Sequence, residues 1–528
     1  MTVEELLARR LRDHGVRRFF GIPGGPSIPY MEAFRREGID FVLTSHEASA
    51  AVMADVTARL TGVTGVCHAT FGPGATNLST GVGSAMLDRT PLLALTSEMS
   101  DEWSGRTAQM NIDHQALFRP LTKATFRLTA GQADDMITGS LHIACDEYPG
   151  PVHLGLPAGL AGCSVSDMAK TASHSIERKR THHFEDRIRV LYASSRRPLL
   201  AVGLTAMRNN AGAMLLEFLE KHRVPVVVTP MAKGIIPSDH PCYAGVLFHA
   251  LSDRLKNLMR EADLVIGLGY DPVEYNYEAW MPGVPLIHFD TVSSDLQIRG
   301  AIESVSLPVQ WFKALSLLQS SPEMAALALQ ARNDIRNSLT DAASDFNAVE
   351  ALSLLHDMMP ANAIVTADVG SHLHLMGQMW DVPASGKLIM TNGWSSMGFA
   401  LPAAIAAAIE RPDLPVVCVT GDGGLLMHAG EMMTARRLGL KITVIVLSDG
   451  ELNLIRVKQS WKGLKPYGTS LYRGSLFGSD AFLGTDVVHV TDSMSMRTAF
   501  GRAMTSRSSL IIEAGIDPSV YSELIVRP

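Results

Sequence analysis

No stretch of the sequence holds the roughly eighteen uninterrupted apolar residues of a membrane-spanning helix, so no such anchor is expected. Basic residues are in short supply. Forty-six Lys and Arg stand against 53 Asp and Glu, a formal net charge of −7, so the cationic face that nucleic acid demands is not expected. Cysteine is sparse and unpatterned. The five (Cys67, Cys145, Cys163, Cys242 and Cys418) form no C-x-x-C pair and sit mostly in apolar runs, which reads as reduced structural thiols. Also missing are H-E-x-x-H, a Walker loop, and a Rossmann G-x-G-x-x-G with a downstream ribose acid. The opening MTVEELLARRLRDHG has the spacing of an amphipathic helix rather than a signal sequence, so a soluble, cytoplasmic protein is expected.

What is present is ordinary globular material, 46% hydrophobic and 19% charged, in a chain long enough for roughly three domains. Apolar runs and helical periodicities alternate through residues 1–165, with strands predicted at Arg18–Gly21, Phe41–Thr44, Gly65–Ala69, Leu92–Thr96 and Val152–Leu156. A polar stretch from Ala161 to about Glu185, which includes His182 and His183, reads as a surface linker. A central domain over 186–320 follows, with strands at Leu199–Val202, Val226–Thr229, Leu264–Gly267 and Leu286–Phe289. The polar, helical stretch Ser320–Asp345 then leads into a third domain, 345–528. Its predicted strands are Ile364–Thr366, Lys387–Met390, Val416–Thr420, Ile442–Leu447 and Leu510–Glu513. The expected class is α/β, with three doubly wound parallel-sheet domains, and the first and third share a size and pattern that suggest duplication.

The most informative stretch is 416–458. The strand Val416–Thr420 empties into Gly421-Asp422-Gly423-Gly424, a helical segment follows, and the strand Ile442–Leu447 ends at Ser448-Asp449-Gly450-Glu451. This β-α-β unit delivers one carboxylate at each strand end, where ligands of parallel sheets bind. Two acids there, beside glycine turns with free N–H groups, suit a hard cation that bridges to a phosphate.

GDG followed 27 positions later by an acid in D-G-E-L-N resembles the diphosphate–magnesium motif of thiamine diphosphate enzymes, and most closely the catabolic, flavin-independent acetolactate synthases. The resemblance extends over the whole chain. Phe20-Gly21-Ile22-Pro23-Gly24-Gly25 is similar to the family's opening glycine turn, Ser45-His46-Glu47 to its glutamate segment, and Gly72-Pro73-Gly74-Ala75-Thr76-Asn77 to its GPGATN turn. Gly269-Tyr270-Asp271-Pro272-Val273-Glu274-Tyr275 matches the flavin-independent pattern, so FAD is not expected.

The resemblance implies three domains that bind the pyrimidine, form the centre and bind the diphosphate. It implies thiamine diphosphate and Mg²⁺ as cofactors, with Asp422, Asp449 and the backbone carbonyl of Glu451 as metal ligands. Pro23, Gly24, Gly370, Ser371, His372, Gly421, Gly423 and Gly424 are implied as cofactor contacts, Met397 as the residue wedged under the bent cofactor, and the Ser395 carbonyl as acceptor from its amino group. Glu47 is implied as the catalytic acid that hydrogen-bonds the pyrimidine, a role favoured by the apolar company of Ala48, Ala51, Val52 and Met53. Sites shared across a homodimer, often paired into a homotetramer, are implied as well. Each residue also has a plainer reading. Glu47 suits a helix N-terminus, His372 a solvent-facing loop and Met397 ordinary core filling.

Three positions depart from the synthases: His68 replaces an aliphatic residue, Phe71 a serine and Met110 a glutamine. His68 matches in spacing a histidine of benzoylformate decarboxylase. It reads either as a proton donor that releases an aldehyde or as a hydrogen-bonded core histidine. The expected function is decarboxylation of a small 2-oxo acid followed by carboligation to a second carbonyl. The alternatives are a simple decarboxylase acting through His68 and a non-catalytic structural homologue. The segment after Tyr472 is shorter than is usual in the family, with Gly474–Leu483 expected as loop.

Overall fold

Short β-branched and aliphatic runs become buried strands in each third of the chain, because a parallel sheet hides both of its faces. The computed structural model describes residues 1–165, 185–294, 296–342, 346–383 and 387–525. The first sheet comprises β1 (Arg18–Gly21), β2 (Asp40–Leu43), β3 (Gly65–Ala69), β4 (Leu92–Glu98), β5 (Ala124–Arg127) and β6 (Pro151–Pro157), in the order β2-β1-β3-β4-β6-β5. The second comprises β7 (Pro198–Val202), β8 (Val226–Val228), β9 (Tyr243–Val246), β10 (Leu264–Leu268), β11 (Leu286–Asp290) and β12 (Ile302–Val305), in the order β12-β11-β10-β7-β8-β9. The third comprises β13 (Ile364–Ala367), β14 (Lys387–Ile389), β15 (Val416–Gly421), β16 (Thr443–Ser448), β17 (Ala481–Phe482), β18 (Thr485–Val490) and β19 (Leu510–Gly515), in the order β14-β13-β15-β16-β19-β18-β17. Helices flank all three sheets, as the α/β reading expects.

The first and third sheets start with the same arrangement, the second strand outside the first and the third on its other side. In such sheets the crevice between first and third strands is where ligands bind. The strands missing from the sequence reading are β5, β9, β12, β17 and β18, four of them at sheet edges, where one open flank removes the need for a continuous apolar run. β17 pairs antiparallel with β18, the one exception to parallel pairing among these strands, and falls in the segment expected as loop. The expected linker, with His182 and His183, lies almost wholly outside the described residues. The polar stretch after Ser320 forms the helix Pro322–Ala342. All five cysteines are free, although Cys145 and Cys163 lie at the surface rather than inside apolar runs.

The helix Glu47–Thr61 joins the outer domains. His46 caps it, its Nδ1 accepting from Ala48 N at 3.1 Å, and Gly62 in the left-handed region (φ 75°) ends it. Its alanine-rich surface lets neighbours approach closely: a Cβ on Gly81 of the helix Pro73–Leu87 would sit 2.5 Å from Ala51 Cβ. The helix Ala400–Glu410 of the third domain packs on it too, and one apolar core runs through both domains, including Phe20, Val56, Phe399, Ile405 and Val444. Arg59 adds a polar staple. It binds Asp55 at 2.6 Å, Asp88 at 2.9 Å and the Met390 carbonyl at 2.7 Å, while Asp88 accepts from Gly393 N at 3.0 Å. Arg59→Met leaves two buried carboxylates without their cation. It is expected to cost about 3–5 kcal/mol, read as a lowered urea midpoint.

Candidate active site

The carboxyl ends of β13, β15 and β16 open into a cavity of about 120 Å³. Its lining includes Gly370, Ser371, His372, Met397, Gly421, Asp422, Gly423, Gly424, Asp449 and Glu451. Ten of the residues picked from sequence therefore meet in one place. Asp422 is buried, and its Oδ1 accepts from Gly423 N at 2.7 Å. Its Oδ2 accepts from Gly450 N at 2.8 Å, from Asp449 N at 3.2 Å and from the Tyr472 hydroxyl at 2.9 Å. Asp449 Oδ1 accepts from Glu451 N at 3.0 Å. Burial, and next to it the charge of Asp422, push Asp449 up to about 7. An acid raised in this way beside a second carboxylate is suited to a divalent cation, which reverses the repulsion. The Glu451 side chain turns away to pair with Arg456 at 3.2 Å.

On the facing wall, Gly370 precedes the helix Ser371–Met379. Ser371 Oγ and His372 Nε2 there are buried without a protein partner. His372 is 4% exposed, not a solvent-facing loop histidine; burial takes its ring down to about 4, so it is neutral, and its ring also hydrogen-bonds the Asp368 backbone. An orphaned hydroxyl and an unpartnered ring nitrogen at a helix N-terminus, opposite two acids, fit a diphosphate bridged by a cation. Gly424 is needed for packing here, since a Cβ would lie 2.5 Å from Asp368 Oδ2. Met397 Cε would lie 3.0 Å from a Cβ on Gly423, which places the thioether at the cavity's edge rather than in the core. Ser395 sits outside this lining, exposed and in the left-handed region (φ 54°), its hydroxyl donating to the Asn392 carbonyl at 2.7 Å.

Glu47 lies elsewhere, in the first domain at the switch point of that sheet. It is 7% exposed, with Oε2 accepting from Asn77 Nδ2 at 3.0 Å and Oε1 beside Gly74. Pro23 is exposed and Gly24 half-buried on the opposite turn, where a Cβ on Gly24 would strike Thr70 Oγ1 at 2.2 Å. No residue of 1–165 lines the third-domain cavity. Within one chain the two groups of predicted residues are therefore separate.

His68 does not stand ready to give up a proton. It is 3% exposed, its Nε2 lies 2.6 Å from Ser27 Oγ, the Leu95 backbone also hydrogen-bonds it, and burial lowers it to about 4. Ser27 Oγ in turn accepts from Gly24 N at 3.1 Å. The ring thus props the opening glycine turn, which supports the reading of a hydrogen-bonded core histidine. His68→Ala is expected to cost about 1–3 kcal/mol through the stranded hydroxyl of Ser27. Thermal melting and product analysis check this: a lower midpoint with an unchanged product.

Two other histidines, His114 and His153, stand in no sequence motif. Ligand atoms of Glu98, His114 and His153 lie within 4.8 Å of one another, which has the look of a metal site. Every ring nitrogen, however, already has a partner. Gly72 N–H donates to His114 Nε2 at 3.3 Å, so His114 Nδ1–H donates to Thr96 Oγ1 at 2.8 Å. Thr96 donates to His153 Nε2 at 2.7 Å, His153 Nδ1–H to Thr125 Oγ1 at 2.7 Å, and Thr125 to Gln115 Oε1 at 2.7 Å. Gln115 Nε2 closes the series on Glu98 Oε1 at 2.6 Å, and Arg127 pairs with Glu98 at 3.0 Å. Burial keeps both rings neutral, as the series requires. Its partners are 10–57 positions apart, so no local motif announces it.

Residues 1–117 match the thiamine pyrophosphate enzyme N-terminal TPP binding domain, 186–308 the central domain and 368–514 the C-terminal TPP binding domain. The acetolactate synthase isozyme 2 large subunit of Escherichia coli is 29% identical, over 99% of this chain and 94% of its own. The acetolactate synthase of Arthrospira platensis is 30% identical, over 84% and 82%. A probable acetolactate synthase large subunit of Methanocaldococcus jannaschii is 27% identical, over 98% and 92%.

Proposed function

Since this chain belongs to the thiamine pyrophosphate enzymes, we propose that it decarboxylates a small 2-oxo acid and joins the remainder to a second carbonyl, as an acetolactate synthase does. The observation that carries this reading is the third-domain cavity, with two acids on one wall and unpartnered polar atoms of Ser371 and His372 on the other. Thiamine diphosphate, when bound, supplies a thiazolium carbon that adds to a carbonyl and takes up the electron pair freed by loss of CO₂. Asp422, Asp449 and the Glu451 carbonyl would hold Mg²⁺, with Ser371, His372 and the glycines at 421, 423 and 424 around the diphosphate. Met397 would support the bend of the cofactor, and the Ser395 carbonyl would orient its amino group. Glu47 Oε2 accepts from Asn77, which leaves Oε1 to hydrogen-bond the pyrimidine nitrogen.

Glu47 and the metal cavity lie apart in one chain, which supports a two-fold dimer whose partner completes each site, paired further into a homotetramer. Exposed apolar side chains near the site, Trp394, Leu426 and Met427, are in keeping with such an interface. Among the described residues no helix is long and apolar enough to cross a membrane, and we place the protein in the cytoplasm.

The test is incubation with thiamine diphosphate, Mg²⁺ and a panel of 2-oxo acids, following CO₂ and resolving products by mass spectrometry. Two pyruvates are expected to give one CO₂ and one 2-hydroxy-2-methyl-3-oxobutanoate. Free aldehyde alone would return the decarboxylase reading, and no CO₂ from any acid would overturn both.

A further inference from the structure

We propose that Tyr472 is a positioning residue for the metal, aiming the Asp422 carboxylate by occupying one of its two oxygens. The inference rests on the reading of Asp422 as a metal ligand. A carboxylate offers about four lone-pair sites, two on each oxygen. Asp422 Oδ2 receives Gly450 N–H at 2.8 Å, Asp449 N–H at 3.2 Å and the Tyr472 hydroxyl at 2.9 Å, and so is filled. Oδ1 receives only Gly423 N–H at 2.7 Å and keeps a site open. The side chain therefore presents Oδ1, not Oδ2, to whatever enters the cavity. Three of the four donors are backbone groups of the two strand-end turns. Tyr472 is the one side chain among them, 50 positions from Asp422, and the one that substitution can remove cleanly.

The tyrosine is itself held from two directions. Its own proton goes to Asp422, so the Ser448 hydroxyl donates to the phenol oxygen, and Ser448 Oγ lies 3.0 Å from Glu513 Oε1. Glu513 is buried on β19, where it also accepts from Leu476 N at 2.8 Å and Ser475 Oγ at 2.9 Å and pairs with His489 on β18 at 2.7 Å. The backbone next to Tyr472 is tied to the metal turn as well. Leu471 N donates to the Gly450 carbonyl and Leu452 N to the Thr469 carbonyl, each at 2.8 Å. The segment 469–472 thus lies as a short strap along 450–452, and the phenol carries its registration to the carboxylate. Outer partners of metal ligands fix ligand orientation, and their loss typically weakens metal binding 10–100-fold.

Tyr472→Phe removes the hydroxyl and keeps the ring. Mn²⁺ is the probe, titrated by electron paramagnetic resonance in the presence of thiamine diphosphate, alongside the Mg²⁺ dependence of turnover. The expected result is a dissociation constant for Mn²⁺ raised about tenfold or more, with turnover recovered by excess Mg²⁺. A merely structural tyrosine would lower the melting temperature and the turnover without changing the metal requirement, and that outcome overturns the proposal. Ser448→Ala leaves the whole tyrosine in place and guards against a folding failure; it is expected to weaken Mn²⁺ binding in the same direction, and no change in either variant overturns the proposal. If the wild-type protein with thiamine diphosphate binds no Mn²⁺, it is the cofactor reading that fails.

Discussion

Glu47→Gln is expected to reduce turnover by about 10²–10⁴-fold while thiamine diphosphate binding persists. The amide is isosteric and still accepts from Asn77, so the 3.0 Å contact and the packing against Gly74 survive. What disappears is the ability to share a proton from Oε1. At 7% exposure, on a helix whose neighbours are Ala48, Ala51 and Met53, little solvent reaches this carboxyl to substitute for it. The variant therefore separates chemistry from folding, with an unchanged melting curve and unchanged quenching of protein fluorescence by the cofactor. Unchanged activity on every 2-oxo acid would falsify the catalytic role. A plain helix-terminal acid has no reason to affect turnover, since its loss costs well under 1 kcal/mol of helix stability.

Asp422→Asn is expected to abolish metal-dependent retention of the cofactor, and with it activity, whereas Asp449→Asn is expected to be tolerated. The asymmetry comes from the surroundings. Asp422 gathers four donors, so an amide there must turn its NH₂ toward N–H groups on one side or the other, and the buried mismatch distorts both strand-end turns. Asp449 accepts one backbone donor and is already pushed up to about 7 by burial and by Asp422, so a neutral group there relieves repulsion. The same push sets a pH dependence. A metal must displace the Asp449 proton, so apparent Mg²⁺ affinity weakens as pH falls through about 7 and levels off above it. In Asp449→Asn that slope should vanish. Equilibrium dialysis of the cofactor at several pH values reads all three expectations, and equal retention by Asp422→Asn and wild type would sink the metal assignment.

The third-domain half of the site was legible because its chemistry is local. Glycine turns directly after apolar strands place Asp422, Asp449 and Gly370 at carboxyl ends whatever the rest of the fold does. The register of β15 against β16, Gly421 opposite Leu447, follows from the same runs. Edge strands were the weak point, because Ala124–Arg127 and Ile302–Val305 are only partly buried and carry no continuous apolar signal. His68 is instructive in another way. Its spacing resembles an active-site histidine, yet a residue in the middle of a fully buried strand answers first to its neighbours across the sheet.

By itself the sequence determined the three-part α/β organisation, the family, and the identity of the groups that face the cavity, since each depends on strand ends and turns a few residues long. Only the tertiary structure decided how those groups are held. Tyr472 reaches Asp422 across 50 positions, Gly72 is tied to His114 and through it to a series ending at Glu98, and His68 is spent on Ser27. Orientation at these points is set by hydrogen bonds between distant segments. Such partners are paired by the folding of the sheets, not by any spacing along the chain.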